Sequence, residues 1–117
     1  MLPKQHRLPL RTELRRVKKE GRFFQGKLFG LLISHQPLAM SHQLSRFAFI
    51  ISTKVHKKAV RRNHARRLLS EAIKEFLPQI KPGFNVVFLA KKSLIEADFN
   101  EIKQEVALLL KKVRLLS

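Results

Sequence analysis

Seven of the fourteen residues in the run Lys54-Val-His-Lys-Lys-Ala-Val-Arg-Arg-Asn-His-Ala-Arg-Arg67 are lysine or arginine, and no aspartate or glutamate stands between Gly21 and Ser70. The run leads into an amphipathic helix expected over 65–80, with Ala65, Leu68, Leu69, Ala72, Ile73 and Phe76 at helical spacing. Cations gathered at a helix start repel the positive end of the macrodipole and each other, so folding alone would place acids there. Backbone N–H groups together with clustered guanidinium groups instead make a phosphate site. The chemistry offered is recognition of a polyanion.

Bond-breaking chemistry is harder to find. The eight carboxylates fall mainly on helix faces without a pair suited to general acid–base work, and no Ser/His/Asp grouping is evident. His6, His35, His42, His56 and His64 show no metal-ligand spacing with carboxylates, and the chain lacks cysteine, which removes disulfides and thiolate metal sites. No catalytic or metal-binding residue is therefore assigned, and the protein alone is expected to leave a phosphodiester intact.

Charge distribution sharpens the choice of partner. Of the net +17 over 117 residues, residues 1–70 hold 17 Lys/Arg against Glu13 and Glu20, a balance of +15; residues 71–117 hold eight basic and six acidic residues, only +2. Such polarity suits phosphate binding more than mere solubility. The longest apolar runs, Leu28–Ile33 and Val86–Ala90, are too short to span a bilayer. The basic N-terminus has no apolar stretch of signal-peptide length behind it. A cytoplasmic protein without a membrane partner is expected. With 44% hydrophobic residues the chain reads as one RNA- or DNA-binding domain over 1–117.

The remaining elements must position the run. Residues 1–11 read as an extended arm broken by Pro3 and Pro9, and Thr12 as the cap of a short helix to about Glu20 that carries Leu10, Leu14 and Val17 on one side and ends at Gly21. Lys27–Ser34 reads as a strand, His35–Leu44 as a loop with Pro37, and Arg46–Thr53 as an alternating strand, the two strands suggesting a hairpin. On the central helix, Asn63, Arg67, Ser70 and Lys74 lie opposite the apolar stripe, with His64 and Arg66 flanking it. Arg61 and Arg62 project past the core. Lys81-Pro82-Gly83 turns into a strand at Phe84–Ala90, Lys91–Ala97 reads as a loop, and Asp98 with Glu101 forms a capping-box pair for a last helix burying Ile102, Val106, Leu109 and Val113. Phe47, Phe49, Phe76, Phe84, Phe88 and Phe99 have core spacings. Tandem Phe23-Phe24 must point to opposite faces if extended, so at most one joins a binding surface.

Ser52-Thr-Lys54 and Ala59-Val-Arg-Arg-Asn-His-Ala-Arg-Arg67-Leu-Leu resemble the signature of the bacterial ribonuclease P protein subunit, which has Arg-Asn-Arg then Lys-Arg and two aliphatic residues on its central helix. His6-Arg7-Leu8 and Val86-Val-Phe-Leu-Ala-Lys-Lys92 extend the likeness over most of the chain. This chain departs at His64, where the family has its second arginine, at Ser70, where a basic residue is common, and at Leu14, Lys18 and Leu32, where aromatics are usual. The resemblance implies an α+β two-layer sandwich: a small mixed sheet of about four strands packed by three helices, order α-β-β-β-α-β-α, with a left-handed crossover against the general right-handed rule. It implies removal of the 5′ leader of precursor tRNA by a ribonucleoprotein whose RNA subunit, with magnesium held mainly by RNA and substrate, performs the hydrolysis. One protein per RNA is implied. Lys54, Lys57, Lys58, Arg61, Arg62, Asn63, His64, Arg66 and Arg67 would contact RNA, and Leu14, Lys18, Phe29, Leu32, Lys91 and Lys92 the leader. A ribosomal or RNA-chaperone protein is the composition-level alternative; a DNA-binding module ranks third, since a Phe-rich strand is no helix-turn-helix partner.

Overall fold

The computed structural model describes residues 2–36 and 43–116. Its elements are α1 (Leu10–Glu20), β1 (Arg22–Phe24), β2 (Phe29–His35), β3 (Arg46–Ile50), α2 (Ala59–Lys74), β4 (Phe84–Ala90), α3 (Ser93–Glu96) and α4 (Phe99–Lys112). The fold is α+β, with a four-stranded mixed sheet in the order β1-β2-β4-β3. β2 pairs antiparallel with β1 and β4, while β3 runs parallel to β4. Parallel neighbours need a long crossover, and α2 supplies it.

Side-chain alternation separates two cores. One face carries Phe29, Leu31, Ile33, Phe47, Val86 and Phe88 into a cluster with Leu69, Ile73, Ile102, Val106 and Leu110 of α2 and α4. Phe88 is its hub: it stacks on Phe29 (5.2 Å, 11°) and meets Phe49 edge-on (5.7 Å, 83°). Truncating such a ring to alanine typically costs about 3–5 kcal/mol. The opposite face is smaller. There Leu32, Ala48 and Val87 pack beneath Leu10, Leu14 and Val17 of α1 and Leu8 of the arm.

Several expectations change. The expected hairpin of the second and third strands is replaced: β4 lies between β2 and β3. The reason is visible in β2, whose residues Phe29–Ser34 are all buried, the pattern of a central strand needing a neighbour on each edge. The hairpin partner of β2 is the three-residue β1 instead. Residues 37–42 of the expected His35–Leu44 loop lie outside the described residues. α1 starts at Leu10, not after Thr12. Pro9 stands at its cap in extended conformation, and its carbonyl accepts from the N–H groups of Thr12 and Glu13. The arm therefore ends at Pro9, and it is less open than expected. It forms a short 3₁₀ turn at Lys4–His6, buries Leu2 and Leu8, and adds a parallel bridge between Arg7 and Phe47 at the edge of β3.

α2 runs over Ala59–Lys74 rather than 65–80. Apolar periodicity located only its buried part, because the first turn carries Val60 at 73% exposure and places no apolar side chain in the core. It stops early since Pro78 disfavours helical geometry just before it, and Leu77–Gln79 forms a 3₁₀ turn. The expected loop Lys91–Ala97 contains the one-turn α3, anchored by buried Leu94, while the three longer helices α1, α2 and α4 and the four strands follow the expected order. α4 has the expected capping box: Asp98 accepts from the Glu101 N–H (2.9 Å), and Glu101 accepts from the Asp98 N–H (3.2 Å). Leu110 joins Ile102, Val106 and Leu109 inside, while Val113 stands at the C-cap.

Candidate RNA interface

The earlier start of α2 changes the meaning of the basic run. Arg61, Arg62, Asn63 and His64 lie within its first two turns, and the helical repeat fixes them relative to Arg66 and Arg67 just beyond. The cap residue Lys58 makes no side-chain capping bond, and the first turn holds no acid. The ion pairs among the described residues are Glu13 with Arg16 and Arg46, Glu71 with Lys74, and Glu75 with Lys103. None includes a cation of the 54–67 run.

Two of these side chains organise the others. Arg62 folds back, its Nη1 donating to the carbonyls of His56 and Lys57 (both 2.8 Å), and the Lys58 N–H donates to His56 Nδ1 (3.1 Å). The loop before α2 is thereby clasped to the helix, and part of the Arg62 donor set is spent inside the protein. One turn on, Arg66 Nη1 donates to Asn63 Oδ1 (2.9 Å), which fixes both planar groups side by side while the Asn63 amide N–H₂ stays available to donate.

The cations divide between two concavities. Asn63, Arg66, Arg67 and Ser70 form one wall of a groove of about 610 Å³ along the edge of β3, with Leu2, Arg7 and Leu8 of the arm opposite and Phe47 and Phe49 on its floor. Ser70 corrects the expected wheel: it is 3% exposed, and its hydroxyl donates to the Arg66 carbonyl (3.0 Å) instead of facing solvent with Lys74. The second concavity, about 540 Å³, is lined by Lys54, His56, Lys57, Lys58 and Lys92. Arg61 and His64 are exposed on the helix between them.

The six positions expected at the leader do not gather. Phe29 is 0% exposed and stacked on Phe88 on the α2/α4 face, so it cannot reach a ligand on the α1 face. Leu32 does lie on the α1 face but is 8% exposed, covered by α1. Leu14 is half-buried above it and Lys18 is exposed on the same helix. The Lys91 ammonium bonds to the Gly26 carbonyl. Lys92 is drawn to the lysine cluster at the start of α2, a grouping the linear sequence did not reveal. Two further residues, neither assigned to the site from sequence, stand beside these surfaces. Arg7, signalled only by His6-Arg7-Leu8, faces the groove, and Phe23 is exposed on the α1 face. Among the described residues no three His, Asp or Glu side chains gather to hold a metal ion, and no helix is long and apolar enough to cross a membrane.

Known proteins resemble this sequence and share this fold. The Ribonuclease P family model matches residues 2–114. The ribonuclease P protein component of Synechococcus sp. (strain JA-2-3B'a(2-13)) is 34% identical over 116 residues, spanning 99% of this chain and 87% of the relative. That of Caldanaerobacter subterraneus subsp. tengcongensis is 31% identical over 111 residues, 91% of this chain and 95% of the relative. Among solved structures, the RNase P protein of Thermotoga maritima superposes with a TM-score of 0.78 at 30% identity, over 90% of this chain and 97% of that one. The Staphylococcus aureus RNase P protein, at 19% identity, shares the fold with a TM-score of 0.83 over 97% of this chain and 100% of that one. These likenesses favour tRNA processing over a ribosomal or chaperone role. The chain belongs to the ribonuclease P protein family.

Proposed function

We propose that this protein works only inside a ribonucleoprotein, where it binds a catalytic RNA subunit through the start of α2 and guides the 5′ leader of precursor tRNA across the α1 face of its sheet. The observation that carries this is the set of cations on the first two turns of α2 and the loop before it, without a carboxylate partner among the described residues. Lys54, Lys57, Lys58, Arg61, Arg66 and Arg67 neutralise backbone phosphates, and Asn63 and His64 donate to bases, sugars or phosphates. Arg62 holds the loop in place. Lys92 belongs with the lysine cluster rather than with a separate leader contact.

The donor set also decides where magnesium belongs in this proposal. Magnesium takes oxygen ligands, carboxylates foremost, whereas the groove presents guanidinium groups and the second concavity ammonium groups, all of which repel a divalent cation. The ion therefore sits on the RNA and substrate, and the protein contributes charge neutralisation and substrate placement. One protein per RNA subunit, acting in the cytoplasm, completes the reading. Reconstitution tests it. Precursor tRNA should be cleaved by catalytic RNA plus protein at moderate magnesium, and left intact by nuclease-free protein alone. Cleavage by the protein without RNA overturns the proposal.

A further inference from the structure

Eight of the nine phenylalanines, Phe24 and Phe29 among them, pack in or against the core beneath α2 and α4. Phe23 does not. It stands on β1 opposite Leu32, on the face covered by α1, and is 55% exposed. Its ring lies over Gly30 of β2: a Cβ placed on that glycine would come within 2.5 Å of the ring Cζ and 2.6 Å of Cε1. The far end of the ring, at Cζ and Cε1, thus lies against bare backbone, and the exposure belongs to the rest of the ring.

A lone exposed phenylalanine is ordinary, and an aromatic can simply cover a strand glycine. Two observations here point further. The ring is held, since β1 pairs with β2 in register and the glycine accepts it, so little side-chain freedom remains to lose on binding. The helix over the same face carries Arg11, Arg15, Arg16, Lys18 and Lys19, all exposed, so a polyanion is attracted to the surface where the ring is presented. A preset aromatic plane beside a cationic helix suits single-stranded nucleic acid, whose bases stack on aromatics with little regard for sequence.

We propose that Phe23, seated on Gly30, is a stacking platform for one unpaired base of the precursor's 5′ leader. This rests on the function proposed above. The reconstituted particle with Phe23→Leu, which keeps apolar cover over Gly30 but has no π-face, should bind precursor tRNA roughly five- to hundredfold more weakly, while mature tRNA binding is unchanged. Phe23→Trp should retain precursor affinity. Because the chain has no other Trp and no Tyr, that variant also carries a single indole reporter. A leader oligonucleotide should quench its fluorescence, and an abasic strand of equal length should not. Precursor affinity untouched by Phe23→Leu, or equal quenching by the abasic strand, overturns the platform. A wild-type particle that fails to distinguish precursor from mature tRNA would overturn the leader role itself. One that distinguishes them equally well with Leu at position 23 would overturn only Phe23.

Discussion

α2 and α4 pack against each other over the same core, yet their N-termini are built on opposite plans. α4 begins with Asp98 and Glu101 in a reciprocal capping box and ends with Lys111 and Lys112, so its charges complement the macrodipole at both ends. α2 begins with uncapped Lys58, carries no acid in its first turn, and puts four arginines into its first nine residues. Each cation near a helix start disfavours folding by about 0.3–1 kcal/mol when exposed. Only the later part of α2 is repaid by packing, through Ala65, Leu69, Ala72 and Ile73. One helix is therefore arranged for the folded chain alone, and the other for a chain with an anion at its end.

The strongest way to break this contrast is salt. If the 54–67 cations neutralise about six phosphates, affinity for the RNA subunit should fall by roughly 10³ between 50 and 200 mM monovalent salt. Substituting Arg61, Arg66 and Arg67 together by Gln should flatten the log–log slope by two to three units. Asp98→Ala should leave that slope alone. Filter binding across a salt series is the measurement, and a salt-independent affinity would end the electrostatic account.

A single cap exchange sharpens it further. Lys58→Asp would give α2 the N-cap that α4 already has, adding about 0.5–1 kcal/mol of stability in thermal or urea unfolding. It should weaken RNA binding about tenfold or more, by exchanging a cation for an anion at the phosphate site. Asp98→Ala should do the reverse, costing about 1 kcal/mol of stability with RNA affinity unchanged. If Lys58→Asp lowered stability and spared binding, α2 would be an ordinary helix with an awkward start.

Legibility from sequence followed packing. Where one face of an element is buried and the other is not, as in α4, period and caps gave nearly the right bounds. β2 is buried on both faces, so nothing in its own residues tells β1, β3 and β4 apart as neighbours, and the hairpin expectation failed. The start of α2 was misplaced for the opposite reason: its first two turns reach beyond most of the core, leaving no apolar stripe to read. The basic motif itself was plain because it is contiguous. Lys92 joining Lys54, Lys57 and Lys58, and Arg7 facing Arg66 and Arg67, depend on chain crossings that linear spacing does not encode. Phe23 could be narrowed by strand alternation to one of two tandem rings, and only the seat on Gly30 identifies it.

The smallest expected effect separates recognition from charge within α2 itself. Asn63→Ala changes no charge, whereas Lys74→Ala removes one. Lys74 is exposed two turns beyond the motif and already pairs with Glu71 at 3.6 Å, so its long-range contribution to RNA binding is screened and partly cancelled. Asn63 holds Arg66 through its Oδ1 and presents its amide donors at the groove. Its loss removes one hydrogen bond to RNA and loosens a guanidinium, worth about 0.5–1.5 kcal/mol and up to roughly 3 if a charged partner is left unpaired. The dissociation constants of both variants for the RNA subunit, at one salt concentration and with circular dichroism showing intact folding, should therefore rank Asn63→Ala as the weaker binder by about threefold or more. The opposite ranking would mean that the start of α2 attracts RNA as a cationic surface and that the side-by-side Asn63–Arg66 pair recognises nothing.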